Sequence, residues 1–467
     1  MHQVPITLPL NRDSSDEVQL LSAQFLYLSF ESSRPLAHSV RHSLVGVDEV
    51  HIGRGEKRQW KRSNVGGKVV LHIEVADSWM STQHLRLSCR PDRVLLHDLG
   101  SRNGTLVNGE EKQSCVLADK DVIEVGCTFF VFSDDTVETE HLPDLDGCEL
   151  VGEPGMTTLL PGLRRQMEQL EKIAKSQRTV IVHGESGTGK ELVARGIHAI
   201  SGRTGSFVAV NCAAIPDSLV ESEFFGHQKG AFSGATSNRA GKIALSDSGT
   251  LFLDEVSELS AKAQAVLLRV LQEQEVFPIG ASAPVPIDLR VVVASHQELA
   301  VAVENGKFRE DLYARLSAFT VTLLPLRERS AELGSIIAAI LQNSQRVDIS
   351  SLSLDPDAAR TLLLYSWPRN IRELEKHLVS ALVLAEGSTI GKSHLRLPNS
   401  RSTGQVPSEK TAQSELSASD TVLRARLLEL LVSESGNVTH VAKVLGKSRQ
   451  QVQRWCKRFE IDLKRYR

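Results

Sequence analysis

The chain has 467 residues, a length typical of about three domains, and with 41% hydrophobic and 24% charged residues it is neither disordered nor collagen-like nor a coiled coil. A net charge of only −3 excludes a uniformly basic, nucleic-acid-coating surface. Without an apolar run of about 20 residues, a signal-peptide pattern or CxxC spacing among its six cysteines, the sequence predicts a cytoplasmic protein with reduced thiols.

Residues 20–134 show short apolar alternations broken by Gly, Asn and Asp, a pattern typical of an all-β sandwich. They contain, in order, the motifs VHIGRG, WMSTQHLRL and LLHDLGSRNGTLVNG. Together these motifs resemble the forkhead-associated (FHA) domain, a β-sandwich that binds phosphothreonine peptides.

The FHA resemblance implies that Arg54 and Ser81 hold the phosphate, and a guanidinium with a hydroxyl donor suits a dianion. The plain alternative is a surface pair at a β-turn. The basic segment GEKRQWKRSN either adds charge near this site or is a solvated loop. The other positions carried over are peptide contacts at Thr82, Arg102 and Asn103, and loop-stabilising roles for His84 and Asn108.

The next segment, 135–149, is acidic and contains proline, and we interpret it as a linker. Residues 150–397 then alternate helical stretches with apolar strands, the rhythm of a parallel α/β sheet. Within them GESGTGK follows the strand TVIVH and precedes a helix, as in a P-loop, where backbone amides converge on phosphate oxygens. A glycine-rich turn without a nucleotide is the alternative. The P-loop positions are Gly184, Glu185, Ser186, Gly187, Thr188, Gly189 and Lys190.

The apolar strand GTLFLDE ends in two acidic residues, the arrangement of a Walker B motif. Asp254 is placed for Mg²⁺ and Glu255 for the attacking water. Phosphoryl transfer depends on positioning and on charge neutralisation, and these residues can supply both. The sequence therefore predicts an ATPase that uses ATP and Mg²⁺, although a buried strand can also end in two acids for purely structural reasons.

Further motifs in this block resemble the AAA+ domain of the bacterial enhancer-binding proteins, the activators of sigma-54 RNA polymerase. In that family's Walker A motif a Glu follows the Lys, and here Glu191 follows Lys190. Two positions depart from the family pattern: His296 stands where sensor I usually has Asn, and Arg369 replaces a Gly. The resemblance implies a restraining contact to Glu255 from Asn211, arginine fingers in Arg309 and Arg315, and a sensor II arginine in Arg372.

The segment GAFSGA resembles the family's GAFTGA loop, which touches sigma-54. Serine replaces the usual threonine, so the hydroxyl is kept and a methyl group is lost. Small residues flank the phenylalanine, which favours an exposed loop over a packing face. The implied sigma-54 contacts are Gly230, Ala231, Phe232, Ser233, Gly234 and Ala235.

An arginine finger acts on the nucleotide of a neighbouring subunit, so the resemblance implies a homo-oligomeric, hexameric ring. Out of this context the same arginines would be surface salt-bridge residues. Such a finger is worth roughly 10³–10⁵ in rate in nucleotide hydrolases. Control of assembly would then control activity.

Residues 398–419 are Ser-, Thr- and Gln-rich and are interpreted as a second linker. Residues 420–467 are basic, with eleven Lys and Arg against four acidic residues after Asp420. Their apolar spacing predicts an all-α helix-turn-helix that resembles the Fis-type DNA-binding domain, against the alternative of a solvated basic helix. Its polar face suits the major groove of double-stranded DNA. The candidate DNA contacts are Arg449, Gln450, Gln453, Arg454 and Lys457.

The complete set of motifs predicts a sigma-54-dependent activator that docks a phosphothreonine protein, a product of a Ser/Thr kinase, through its FHA domain. It would bind upstream DNA and remodel the closed promoter complex with ATP. Two other classes stay open: a regulator of ordinary polymerase, and an interaction hub in which ATP is only structural. GAFSGA argues against the first, and the intact acidic and arginine motifs argue against the second.

Overall fold

The computed structural model describes residues 20–138, 143–231, 235–344, 351–385 and 387–398, with the single positions 430, 440, 441 and 444. Its contacts divide the chain into two units, Met1–Asn399 and Ser400–Arg467. None of the helices in these described segments is both long and apolar enough to cross a bilayer.

The first part of the larger unit is a β-sandwich, as the alternating pattern predicts. One sheet has seven strands in the order β13-β2-β1-β12-β11-β8-β9, and the other has six in the order β10-β7-β6-β3-β5-β4. Leucine, isoleucine, valine and phenylalanine side chains from both sheets fill the space between them. The strands are β1 (Leu20–Glu31), β2 (Val40–Ser43), β3 (Glu49–Arg54), β4 (Gln59–Val65), β5 (Lys68–Val75), β6 (Leu85–Arg90), β7 (Arg93–Asp98), β8 (Thr105–Val107), β9 (Glu110–Glu111), β10 (Ser114–Leu117), β11 (Val122–Val125), β12 (Thr128–Glu138) and β13 (Leu145–Asp146).

The segment 135–149, interpreted from sequence as a linker, differs from that expectation. Its first residues continue β12, where Asp135 pairs with Ala23 of β1. Farther along, β13 adds to the edge of the same sheet beside β2. The acidic composition has a local use, because Asp144 receives hydrogen bonds from Arg62 at 2.5 and 2.7 Å.

The second part is a three-layered α/β subdomain, here called the core. Its sheet is entirely parallel, in the order β15-β18-β21-β14-β22, and its central strands are buried on both faces, which explains their continuous apolar sequences. Helix α1 starts with proline at its first position, where a missing N–H costs nothing. The elements are α1 (Pro161–Ala174), β14 (Val180–His183), α2 (Lys190–Ile200), β15 (Phe207–Asn211), α3 (Val220–Phe225), β16 (Gly226–His227), β17 (Arg239–Ala240), α4 (Lys242–Leu245), β18 (Thr250–Asp254), α5 (Ala261–Glu273), β19 (Glu275–Val276), β20 (Val285–Pro286), β21 (Arg290–Ser295), α6 (Leu299–Glu304), α7 (Glu310–Leu316) and β22 (Thr320–Thr322).

A small helical subdomain, the lid, follows the core. It is joined to the core by the segment Leu326–Glu332, two short 3-10 helices that we call the hinge. One apolar cluster joins the lid to residues of β1 and β12, so the sandwich packs directly on the lid. The lid elements are α8 (Leu333–Asn343), β23 (Ser353–Leu354), α9 (Pro356–Leu364), α10 (Asn370–Leu384), β24 (Thr389–Ile390) and α11 (Lys392–Leu395).

Candidate nucleotide and phosphopeptide sites

The P-loop connects β14 to α2, as predicted. Gly187 and Gly189 have φ of 81° and 99°, in the region that glycine adopts without strain. A side chain at Gly187 would also collide with the carbonyl of Arg369 in the lid. Lys190 is buried, and its ammonium donates to the carbonyls of Gly184 and Glu185 at 2.8 and 3.1 Å. Burial lowers the pKa of Lys190, so a phosphate would be a favourable partner for this charge.

The two acidic residues of the Walker B motif lie beside Lys190. Asp254 ends β18 and is partly buried, and burial followed by the charge of Glu255 raises its pKa. A nearby cation relieves both effects, so Asp254 suits a Mg²⁺ ligand. Glu255 has φ of 53°, a left-handed backbone conformation that is unusual for glutamate and marks the end of the strand.

The partner of Glu255 is not the residue that the family pattern suggests. Nδ1 of His296 makes a short hydrogen bond to the Glu255 carboxylate. Asn211, expected to restrain Glu255, instead accepts a hydrogen bond from the N–H of Ala213 at 3.0 Å and caps its own short helix. The unusual histidine at the sensor I position thus takes a direct contact with the residue expected to orient water.

The lid contacts the P-loop through residues 365–370, the turn between α9 and the first residue of α10, which we call the elbow. Its residues Trp367 and Asn370 are buried. The side chain of Asn370 donates to Glu185 at 3.1 Å and to the carbonyl of Ser186 at 3.0 Å, and it accepts from the N–H of Leu326 at 2.7 Å. Arg372, predicted to be the sensor II arginine, donates to the Ser186 hydroxyl at 3.2 Å and so contacts the P-loop.

The substitution of Arg369 for glycine does not distort this elbow. Its φ of −114° is open to any residue, and the left-handed conformations fall on Trp367 and Asn370 instead, at 49° and 56°. The sequence alone did not identify Asn370 or Arg327 as site residues. Arg327 forms two hydrogen bonds with Glu185, at 2.9 and 2.7 Å.

Two adjoining cavities fit a nucleoside triphosphate. A cavity of about 260 Å³ is lined by the P-loop, both Walker B acids, Asn211, Glu191 and Arg372, and it suits the phosphates. A more apolar cavity of about 500 Å³ shares Gly189 and Ile371 with it and continues past Leu192 and Ile340, as a base and ribose require. Glu191 itself points to solvent and pairs with Arg195 at 2.7 Å.

The remaining predicted core residues lie outside these cavities. Arg309 is exposed and forms a pair with Asp311 at 2.7 Å, and Arg315 is also exposed on α7. The GAFSGA segment sits between β16 and β17, with Gly230 donating to the carbonyl of Ala235 at 2.9 Å. Phe232, Ser233 and Gly234 lie outside the described residues.

The FHA sandwich has its own cavity, of about 550 Å³, at the loops between strands. All five predicted phosphopeptide residues, Arg54, Ser81, Thr82, Arg102 and Asn103, line it. The Ser81 hydroxyl accepts from the Arg102 N–H at 3.1 Å, which leaves its own proton free for a ligand oxygen. The sequence missed Trp79, which is 61% exposed at this cavity and whose carbonyl accepts from Asn103 at 2.7 Å.

Buried polar side chains hold these loops in place. His84 accepts from the N–H of Ser81 at 3.0 Å through Nδ1 and contacts the Gly104 carbonyl at 3.1 Å through Nε2. Burial lowers the pKa of His84, which favours the neutral ring that this pattern needs. Asn108 is exposed, unlike His84, and it donates to the Asp121 carboxylate at 2.7 Å. Arg58, in the basic segment, pairs with Glu31 at 3.0 Å on the sandwich instead of lining the cavity.

The predicted DNA contacts Arg449, Gln450, Gln453, Arg454 and Lys457 lie outside the described residues. Within the described part of the chain, no group of three His, Cys, Asp or Glu side chains could by itself hold a metal ion. A Mg²⁺ ion is usually bound by one or two carboxylates together with water and substrate phosphates, and Asp254 could supply such a carboxylate.

The geometry defines a P-loop ATPase domain of the AAA+ class, with a lid, joined to an FHA domain. Models of known families agree: the sigma-54 interaction domain matches residues 157–322, the FHA domain 50–126 and the AAA+ ATPase lid domain 327–413.

Three curated relatives carry the comparison further. The chain is 44% identical over 265 residues to the response regulator protein FleR of Pseudomonas aeruginosa, covering 56% of this chain and 55% of that protein. It is 40% identical to the transcriptional regulatory protein ZraR of Klebsiella oxytoca, covering 63% and 67%. It is also 40% identical to the Nif-specific regulatory protein of Azotobacter vinelandii, covering 63% and 56%. The chain belongs to the family of sigma-54-dependent transcriptional regulators, although it spans only a little over half the length of the first and third of these relatives.

Solved structures include NtrX from Brucella abortus with ADP, at 28% identity, 68% and 70% coverage and a TM-score of 0.47. An FHA domain from a study of phosphothreonine-dependent interactions is 29% identical, covers 24% of this chain and 95% of that one, and has a TM-score of 0.18.

Proposed function

We propose that this protein is a cytoplasmic ATPase that activates transcription by sigma-54 RNA polymerase under the control of a phosphothreonine partner. The single observation that supports this best is the convergence of Lys190, Asp254, Glu255 and Arg372 on one phosphate-sized cavity. The order of domains and the GAFSGA segment supply the biological context.

In the proposed reaction, the P-loop amides and Lys190 bind the β- and γ-phosphates. Asp254 would hold a magnesium ion, whose charge offsets that of the phosphates. Glu255, held by His296 before the nucleotide binds, orients the attacking water and accepts its proton. Arg372 of the lid contacts the γ-phosphate. The exposed Arg309 and Arg315 complete the site of a neighbouring subunit in a hexameric ring.

The FHA cavity is proposed to recognise phosphothreonine. Arg54 and Ser81 would hold the phosphate with charge-assisted hydrogen bonds, and Asn103 the peptide backbone. Residues 420–467 are proposed to bind upstream DNA as a Fis-type helix-turn-helix. Hydrolysis in the ring would drive the GAFSGA loops against sigma-54 and open the promoter complex.

Open-complex formation on a sigma-54 promoter tests the proposal, with the full chain, sigma-54 polymerase and ATP. We expect open complexes with ATP and none with a non-hydrolysable analogue. ATP turnover without open complexes would instead favour a regulator of ordinary polymerase or an interaction hub.

A second experiment tests the FHA cavity. Arg54→Ala should lower the affinity for a phosphothreonine peptide at least about tenfold, because it removes one charge-assisted hydrogen bond to the phosphate. Unchanged affinity would remove phosphothreonine from the proposal.

A further inference from the structure

The sheet that contains β1 and β12 is buried on both faces. An antiparallel sheet of a sandwich commonly leaves its outer face to water. Here Leu26 and Phe130 point into the sandwich core, whereas Phe25, Tyr27 and Phe129 point the other way into a cluster shared with the lid. All five side chains are at most 1% exposed. The FHA domain is therefore packed on the ATPase over a continuous apolar surface.

This surface lies across the hinge. Ser29 of β1 donates to the carbonyl of Ser330 at 2.6 Å, and Ser39 and Ser335 exchange two hydrogen bonds of 2.9 and 3.1 Å between the sandwich and α8. The first helix of the lid begins so close to β1 that a side chain at Gly334 would collide with the carbonyl of Ser29.

The sandwich also contacts the core side of the hinge. Arg41 of β2 is 2% exposed and donates to the carbonyl of Leu159 at 2.9 Å. Leu159 and Thr158, just before α1, donate to the buried carboxylate of Glu332 at 2.5 and 2.6 Å. One contact chain thus joins the FHA domain, the core and the end of the hinge.

On the lid side the contact is closed by an ion pair. Arg360 of α9 makes two hydrogen bonds, of 2.5 and 2.7 Å, to Glu124 of β11, whose side chain is 6% exposed. The hydrogen bonds that Arg360 donates to the Glu124 carboxylate raise the pKa of Arg360. His38, from the loop before β2, is among the residues that line the more apolar of the two candidate nucleotide cavities, so the sandwich reaches that cavity as well.

From these contacts we infer that the FHA domain is a brace across the hinge that holds the lid at one angle to the core and slows nucleotide exchange and turnover. A lid must move for nucleotide to enter and leave, and contacts to both sides of its hinge oppose that motion. The inference rests on the proposed function, because it concerns regulation of the same nucleotide site.

Two substitutions loosen the brace, each with a matched control. Gly334→Ala inserts a methyl group between α8 and β1, while Gly162→Ala adds the same group in α1 where nothing lies within 4 Å. Glu124→Gln weakens the ion pair to the lid, while Glu49→Gln weakens the pair with Lys68 on the other sheet of the sandwich. Alanine has a higher helix propensity than glycine, so Gly334→Ala should destabilise the contact between α8 and β1 without destabilising the helix itself.

The experiment measures the dissociation rate of a fluorescent ADP and the ATP turnover of the full chain. We expect Gly334→Ala and Glu124→Gln to accelerate ADP dissociation about threefold or more and to raise turnover, with both controls near wild type. Equal or slower dissociation in both variants, with circular dichroism unchanged, overturns the brace. A wild-type chain that binds ADP and hydrolyses no ATP contradicts the proposed function, while the dissociation rates still decide the brace.

Discussion

At the scale of single residues, Glu255 is the sharpest test of the hydrolytic site. Glu255→Gln keeps the shape of the side chain and removes the base, so ATP binding should persist and turnover should fall by about 10²-fold or more. Glu273→Gln, which affects an exposed pair with Arg269 on α5, is the matched control and should be neutral. ATP hydrolysis by Glu255→Gln at the wild-type rate would show that another group activates the water.

His84, beside the proposed phosphopeptide cavity, makes the free energy of unfolding depend on pH. Because its folded-state pKa lies below the ordinary value of about 6.5, the unfolded chain binds more protons as the pH falls through that value. This contribution to the free energy of unfolding is therefore present at neutral pH and is lost on acidification. The imidazole midpoint, measured by NMR with histidine labelling and assigned with His84→Asn, should lie below 6.5. A midpoint at or above 6.5 would contradict the buried, neutral role.

At the scale of elements, the elbow between α9 and α10 determines how the lid meets the P-loop. Asn370→Ala would leave the N–H of Leu326 unpaired and place alanine at a φ of 56°, so we expect a loss of about 2–4 kcal/mol in the free energy of unfolding. Urea denaturation measures it, and the KM for ATP should rise as well.

The exposed Asn305→Ala, which removes only a hydrogen bond to Val301 on the surface, is the control for that substitution and should change stability by less than about 0.5 kcal/mol. Equal stabilities of the two variants would mean that the elbow tolerates the loss of its central side chain.

The contrast between local motifs and remote contacts explains how much the sequence could predict. The P-loop and the Walker B strand are contiguous segments whose spacing specifies their geometry, and the FHA loops bring Arg54 and Asn103 to one cavity as expected. The contact between His296 and Glu255 joins residues 41 positions apart and depends on which rotamers the packed sheet allows. Nothing in the spacing of either motif indicates it.

In the whole molecule, too, the contacts between segments far apart in the chain could not be predicted from local sequence patterns. The sequence divides the chain at 135–149, but the outward-facing aromatic residues of β1 and β12 bury themselves on the lid and join the two folds into one unit. The runs QFLYLSF and TFFVF, apolar at consecutive positions rather than at alternate ones, are the signal for a sheet covered on both faces. The surface that covers them lies far along the chain, because Ser29 of β1 bonds Ser330 of the hinge across a separation of 301 residues, so no local pattern could identify it.

In the proposed ring, Arg315 would act on the nucleotide of a neighbouring subunit, because it lies outside the nucleotide cavities of its own chain. Glu255→Gln and Arg315→Ala should each abolish ATP turnover when assayed alone, by about 10²-fold or more. Mixed together, they should recover part of it. An Arg315→Ala subunit keeps its own Glu255 and can receive the intact arginine of a Glu255→Gln neighbour, so some interfaces in a mixed ring are complete. A mixture that stays as inactive as its components would place the arginine in the same subunit as the nucleotide it serves, or remove it from catalysis, and assembly would then no longer be required for hydrolysis.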